Sequence, residues 1–168
     1  VDGNLILEQV ITTKEGFGLQ PRFRFRQHDQ TIWIDPGATG NVNITTESIV
    51  LEMGAQINSG TATDGKGGLI TVDSSGNISI AGTLNDGTPG GVYSQTTGMD
   101  SGSGVGGAIA LTSGQNFTLS DGATVSASSD GSGNAGDIQV TAANTILLDD
   151  ASITTEAAQA SGGNIKLT

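Results

Sequence analysis

The stretch PRFRFRQHDQTIWID, residues 21–35, holds the residue types most suited to binding a ligand. It contains Arg22, Arg24 and Arg26, which are half of the six basic residues of the chain, together with its only histidine and with Trp33, its only tryptophan. Because side chains alternate along a strand, the arginines would share one face and the intervening phenylalanines the other. Such a face could bind an acidic glycan or protein partner, with Trp33 as a stacking platform. The alternative, which we favour, is an amphipathic strand or hairpin that packs its phenylalanines and solvates its arginines.

Carboxylates offer a second chemistry, because some β-helical lyases and hydrolases act through acidic pairs, sometimes with calcium. Asp149 and Asp150 are adjacent, but neighbouring strand residues point to opposite faces, so we interpret the pair as a polar turn. Further aspartates that precede a glycine are typical of tight turns, among them Asp64, Asp86, Asp121 and Asp130. The sequence therefore predicts no catalytic residue, no metal site and no cofactor.

An internal repeat in the sequence determines the secondary-structure elements that would position any such residue. An opening phrase recurs as GNVNIT, GLITVD, GAIALT, GDIQVT and GNIKLT from glycines 40, 68, 107, 136 and 163, at spacings of 28, 39, 29 and 27 residues. GNLILE, from Gly3, is a candidate sixth copy. Each phrase alternates apolar and polar residues, which indicates a strand with one buried face. Periods of this length are typical of solenoids and propellers.

Each repeat holds three short alternating stretches, whereas a propeller blade needs four antiparallel strands. The sequence therefore predicts an all-β fold, a single-stranded parallel β-helix that is a three-sided β-solenoid. The long third copy still offers a third strand, GVYSQT, with Val92 and Ser94 inward. Inward residues of the opening strand should stack in columns: Val42, Ile44, Ile70, Val72, Ile109, Leu111, Ile138, Val140, Ile165 and Leu167.

The register of the second strand near residues 145–148 has two solutions. Counting back from Ala151 places Thr145 and Leu147 inward, whereas the residue types favour Ile146 and Leu148. A bulge or a one-residue shift would decide between them.

Composition limits the classes of partner. The net charge of −11 argues against nucleic acid, because phosphate binding needs clustered lysines and arginines. The chain has no cysteine, so it uses neither disulfides nor thiolate chemistry. We expect residues 1–37 to be an irregular or capping segment with an early coil and an amphipathic hairpin, and residues 38–168 to be repeats that continue beyond the chain.

A family resemblance lies in the order of the openings, in the SDGATVSASSDGSGNAGDI connection and in GGVYSQTTG before GSGVGGAI. In these features the sequence resembles the filamentous haemagglutinin-like secreted exoproteins. These are passengers of bacterial two-partner secretion, and the resemblance covers roughly residues 38–168. It implies a right-handed parallel β-helix on an extracellular rod, exported across the outer membrane by a partner β-barrel transporter. It also implies a place at the cell surface and roles in adhesion, aggregation or biofilm. The family's amino-terminal secretion domain has no match in this sequence.

We therefore expect a non-enzymatic segment of a secreted bacterial cell-surface β-solenoid that acts as an adhesin stalk or adhesive surface. Host or cell-surface glycans or proteins are candidate partners, and self-association is a further candidate. One alternative is a self-assembling extracellular filament or surface-layer structural protein. Another is a carbohydrate-active β-helix enzyme, which would need carboxylates and basic residues gathered on one face of adjacent coils.

Overall fold

The computed structural model describes residues 4–6, 31–33, 40–61, 65–98 and 104–168. All its regular elements within these ranges are short strands: β1 Asn4–Ile6, β2 Thr31–Trp33, β3 Val42–Thr46, β4 Ser48–Leu51, β5 Gln56–Asn58, β6 Ile70–Ser74, β7 Ile78–Ala81, β8 Gly91–Tyr93, β9 Ile109–Ser113, β10 Asn116–Ser120, β11 Thr124–Ser126, β12 Ile138–Ala142, β13 Thr145–Asp149, β14 Ser152–Thr154 and β15 Ile165–Leu167.

The strands form three five-stranded parallel sheets. The opening sheet has the order β3-β6-β9-β12-β15, the second sheet β1-β4-β7-β10-β13 and the third sheet β2-β5-β8-β11-β14. Every third strand therefore returns to the same sheet, one position further along the axis. The chain is a three-sided parallel β-helix, as the repeat predicts, with coils β3–β5, β6–β8, β9–β11 and β12–β14. The right-handed sense stays a prediction.

The predicted inward residues of the opening strand stack in two columns. Val42, Ile70, Ile109, Ile138 and Ile165 pair in register along one column, and Ile44, Val72, Leu111, Val140 and Leu167 along the other. The first four members of each column are buried. Ile165 and Leu167 continue the columns but are 45% and 46% exposed, because no described coil lies on their far side.

The other two sheets close the core. Phe117 and Leu119 of β10 are fully buried in the second sheet, and Ile57, Val92 and Val125 are their counterparts in the third. Ser94, predicted to face inward after Val92, is also fully buried, and its hydroxyl donates to the Gly68 carbonyl of the same coil. Each coil alone would expose these side chains, so neighbouring coils supply both the apolar cover and the backbone hydrogen bonds.

The structure decides the register of β13. Ile146 pairs with Phe117 and Leu148 with Leu119, so the residue-type interpretation is correct and the count back from Ala151 is wrong. The reason is the turn into the third strand. In the third coil it contains two residues with positive φ, Asp121 and Gly122, whereas in the fourth it contains only Asp150. The fourth turn is therefore one residue shorter.

The first two strands belong to the same sheets but lie in a region that is otherwise not described. β1 pairs with β4 in the second sheet, so GNLILE does not align with the opening strands as the candidate sixth copy required. β2 pairs with β5 in the third sheet. The amphipathic hairpin and the domain limit at residue 37 lie outside the described residues.

Candidate functional site

A groove of about 560 Å³ runs over the outer face of the third sheet. Outward side chains of β5, β8, β11 and β14 form its floor, in register from coil to coil. One column contains Gln56, Gly91, Thr124 and Ser152, and the next contains Asn58, Tyr93, Ser126 and Thr154. We call this feature the third-sheet groove.

A glycine interrupts one outward column of the third sheet. Gly91 occupies an outward position between Gln56 and Thr124. Its φ is 149°, and a Cβ atom there would collide with the Thr124 carbonyl oxygen. Only glycine accepts this backbone at this spacing. The consequence is a gap in the outward column, which leaves room for a neighbouring side chain.

Tyr93 fills the base of this gap. Its hydroxyl donates to the carbonyl oxygens of Pro89 (3.0 Å) and Gly90 (3.4 Å), so the ring extends back along its own strand and over Gly91. The residue is only 9% exposed, which makes it part of the floor rather than a stacking platform. Burial raises the pKa of the Tyr93 phenol, and a hydrogen bond with Thr124 opposes that shift.

A loop between β7 and β8 forms one wall. It leaves the coil after Ala81 and returns at Gly91, and an antiparallel bridge between Thr83 and Pro89 closes its base. The Pro89 carbonyl accepts from Gln56 Nε2 at 2.7 Å as well as from Tyr93. At the tip, the Thr88 backbone N–H donates to Asp86 and holds the pKa of that carboxyl below its usual value. The wall is thus fastened to two adjacent coils.

Polar side chains link the floor across the coils. Gln95 Nε2 donates to the hydroxyls of Ser126 (3.1 Å) and Ser128 (3.0 Å). Thr154 donates to the same Ser126 hydroxyl at 3.1 Å. These contacts hold the side chains in fixed directions, so a ligand would meet an arrangement that is already ordered.

The groove retains unused hydrogen-bonding capacity. Gln56 and Gln95 use only their amide nitrogens and Asn58 only its oxygen, in a bond from the Gly60 N–H. One amide atom of each therefore has no partner among the described residues. Among the described residues of the lining, Glu156 is the only charged one. The described part of this surface can exchange hydrogen bonds with a ligand, and none of its described lining residues is a cation.

The residues that the sequence singled out lie elsewhere or are not described. Arg22, Arg24 and Arg26 lie outside the described residues, so their binding patch stays a prediction. The backbone of Trp33 is in register with Asn58, one strand beyond the groove. Asp149 is the last residue of β13, and Asp150 follows it in the turn with a left-handed backbone conformation, φ 50°; both are exposed.

Two further features are absent from the part of the chain that the structure describes. It contains no group of three or more His, Cys, Asp or Glu side chains that could hold a metal ion. None of its segments forms a helix long and apolar enough to cross a membrane.

Comparison of the chain with protein-family models, with curated proteins and with solved structures finds no match.

Sequence reasoning missed the groove because its residues are polar and carry no periodic apolar signal. One indication was present: the aligned third strands place Gly91 where the other copies have Gln56, Thr124 and Ser152. A missing side chain in an otherwise filled outward column predicts a depression.

Proposed function

We propose that the chain is a segment of a secreted bacterial cell-surface β-solenoid and serves as a stalk or adhesive surface. The observation that carries this proposal is the continuous stack of coils, which buries apolar columns inside and leaves polar side chains on its outer faces. Five strands per sheet at about 4.8 Å spacing make a rod of about 19 Å between the first and last strand. Additional coils of the same kind would lengthen the rod without changing its cross-section.

The stack is suited to a load-bearing extracellular role. Each coil is joined to the next by backbone hydrogen bonds in all three sheets, so a bound partner is connected to the whole rod through many parallel contacts. The chain achieves this without cysteine, and its folded state therefore does not depend on the redox state of the compartment. The acidic net charge of −11 keeps such rods apart in solution.

Export also fits the architecture. Pairing partners in adjacent coils lie 28 residues apart for Val42 and Ile70 and 29 for Ile109 and Ile138. Each new coil can therefore fold on the previous one as the chain emerges from a transporter. The resemblance to two-partner secretion passengers implies that the transporter is an outer-membrane β-barrel and that the family is filamentous haemagglutinin-like. The mechanism of adhesion would be geometric, with weak contacts repeated along the rod.

Antibodies raised against the purified chain test this location on intact producing cells. The proposal expects labelling of unpermeabilised cells and loss of the epitope after external protease treatment, with a cytoplasmic protein as the protected control. Beads coated with the chain should bind cells more than beads coated with an unrelated acidic protein. Labelling that requires permeabilisation would overturn the proposal.

The two alternatives give different results with the same material. End-to-end fibres of the purified chain in electron micrographs would favour a self-assembling filament. Depolymerisation of acidic polysaccharides would favour a carbohydrate-active enzyme and would refute the stalk.

A further inference from the structure

We propose that the third-sheet groove binds a neutral oligosaccharide laid across the coils, parallel to the axis of the β-helix. The inference deepens the proposed function, on which it rests, by naming the ligand class of an adhesive face. It takes its evidence from the charge, the hydrogen-bonding groups and the shape of the groove.

Charge selects a neutral ligand. Most of the described lining residues carry a hydroxyl or an amide group, and Glu156 is the only charged one among them. Among the described lining residues an anionic glycan would therefore meet a negative charge and no cation, within a chain that is strongly acidic. A neutral sugar is not repelled by this charge, and its hydroxyls can donate to the Glu156 carboxylate.

Hydrogen bonding selects a polyhydroxylated ligand. The free amide atoms of Gln56, Asn58 and Gln95 include both acceptors and a donor, which matches the dual character of a sugar hydroxyl. The amides of Gln56 and Gln95 are held by bonds to Pro89 and to the two serines. Few rotamers therefore need to be fixed on binding.

Shape selects a short chain rather than a single ring. The lining spans four adjacent strands, β5, β8, β11 and β14, which is about 14 Å at the ordinary strand spacing. Thr88 and Pro89 of the loop close one side of the groove near Tyr93. The loop does not close the opposite side, beside Ser128 and Glu156. A linear oligosaccharide of a few units fits such an elongated groove.

The experiment is a titration of the purified 168-residue chain with maltotetraose, cellotetraose and chitotetraose, followed by NMR. Heparin tetrasaccharide serves as the anionic comparison. We expect at least one neutral tetrasaccharide to shift the amide signals of Gln95, Ser126 and Ser128, while those of Thr71 and Gln139 on the opening sheet stay in place. No effect of the heparin fragment on the groove signals is expected.

Three variants complete the test. Gln95→Ala should weaken binding about five- to tenfold, because it removes one directed amide from the groove. Gln139→Ala, an exposed glutamine on β12, should leave the affinity unchanged. Glu156→Gln should bind the neutral sugar within about twofold, because an acceptor oxygen remains. Far-UV circular dichroism verifies that each variant is folded.

Several outcomes would overturn the inference. They are the absence of any shift with all three neutral sugars, shifts confined to the opening sheet, and preferential binding of the heparin fragment in the groove. A large loss of neutral-sugar affinity in Glu156→Gln would also overturn it, because the amide and hydroxyl groups would then not carry the binding. All these measurements use the isolated protein, so a negative result here is separate from a failure to find the chain on the cell surface.

Discussion

Replacing Leu111 by alanine removes apolar contact from the middle of the stacked core. Leu111 is 1% exposed and lies between Val72 and Val140 of the adjacent coils. Loss of about three buried carbon groups costs about 2.4 kcal/mol in transfer free energy. The cavity left between the coils raises the expected loss to about 3–4 kcal/mol. With a urea m value of about 2 kcal/mol/M, the unfolding midpoint should fall by about 1.5–2 M.

Leu167→Ala is the matched control, because Leu167 continues the same column one coil beyond Val140. Leu167 is 46% exposed, so in the parent chain its burial contributes only about half of the full transfer free energy. Its truncation also leaves no closed cavity. The expected loss is about 1 kcal/mol. Urea denaturation followed by far-UV circular dichroism measures both variants against the parent chain. Equal losses for Leu111 and Leu167 would refute the argument that stacked coils create the dry core.

Three further predictions concern single positions. Gly91→Ala should lose about 2 kcal/mol or more of unfolding free energy, because the new Cβ would collide with a carbonyl oxygen. Gly87→Ala should lose only about 1 kcal/mol, because φ at Gly87 is 84° but a Cβ there would meet no atom within 4 Å. Equal losses for the two variants would contradict this reasoning. Ser113→Ala should cost about 1–3 kcal/mol, since its buried hydroxyl lies 2.8 and 2.9 Å from two carbonyl oxygens; the exposed Ser75→Ala change should be neutral in the same urea assay. Tyr93 is the only tyrosine, and burial raises the pKa of its phenol, so the phenolate absorbance should titrate above pH 10 in the folded chain. The free energy of unfolding should therefore fall as the pH rises from about 10 through the pKa of Tyr93 in the folded state. The Tyr93→Phe variant should lack this decrease, and an ordinary titration midpoint for Tyr93 in the folded protein would contradict the prediction.

The opening strands could be predicted in register because each copy carries the same physical signal. A glycine precedes two apolar residues two positions apart, as in Ile109 and Leu111 or Ile138 and Val140. That spacing fixes the buried face of a strand, and recurrence in parallel coils fixes its partners. Val92 and Ser94 were predictable for the same reason, although a loop of nine residues, 82–90, separates them from β7.

Turns set the limit of this reasoning. The turns before Ala123 and Ala151 differ by one residue, and both close the same corner with residues in positive φ. Nothing in the apolar pattern reports that difference, so Ile146 and Leu148 could be placed inward by residue type but not by counting. A left-handed aspartate such as Asp150 substitutes for a longer Asp-Gly turn at little cost.

The groove was beyond prediction for another reason. Its recognition groups are outward Gln, Asn, Ser and Thr side chains, which occur on all three faces of the sequence repeat. What distinguishes the third face is the combination of the gap at Gly91 with the return of Pro89 to Gln56 and Tyr93. That combination depends on the path of one loop, which short-range periodicity does not encode.

The excursion between Ala81 and Gly91 has a practical consequence for protein engineering. Its base is pinned by the bridge of Thr83 to Pro89, and the strands on either side keep the stacking of every other coil. Foreign peptides grafted near Asp86, whose side chain is fully exposed, would thus be displayed outward while the scaffold beneath stays intact. Because doubling a flexible loop costs only about 0.6 kcal/mol, the same corner can host inserts of varied length and turn the rod into a platform for ordered arrays of epitopes.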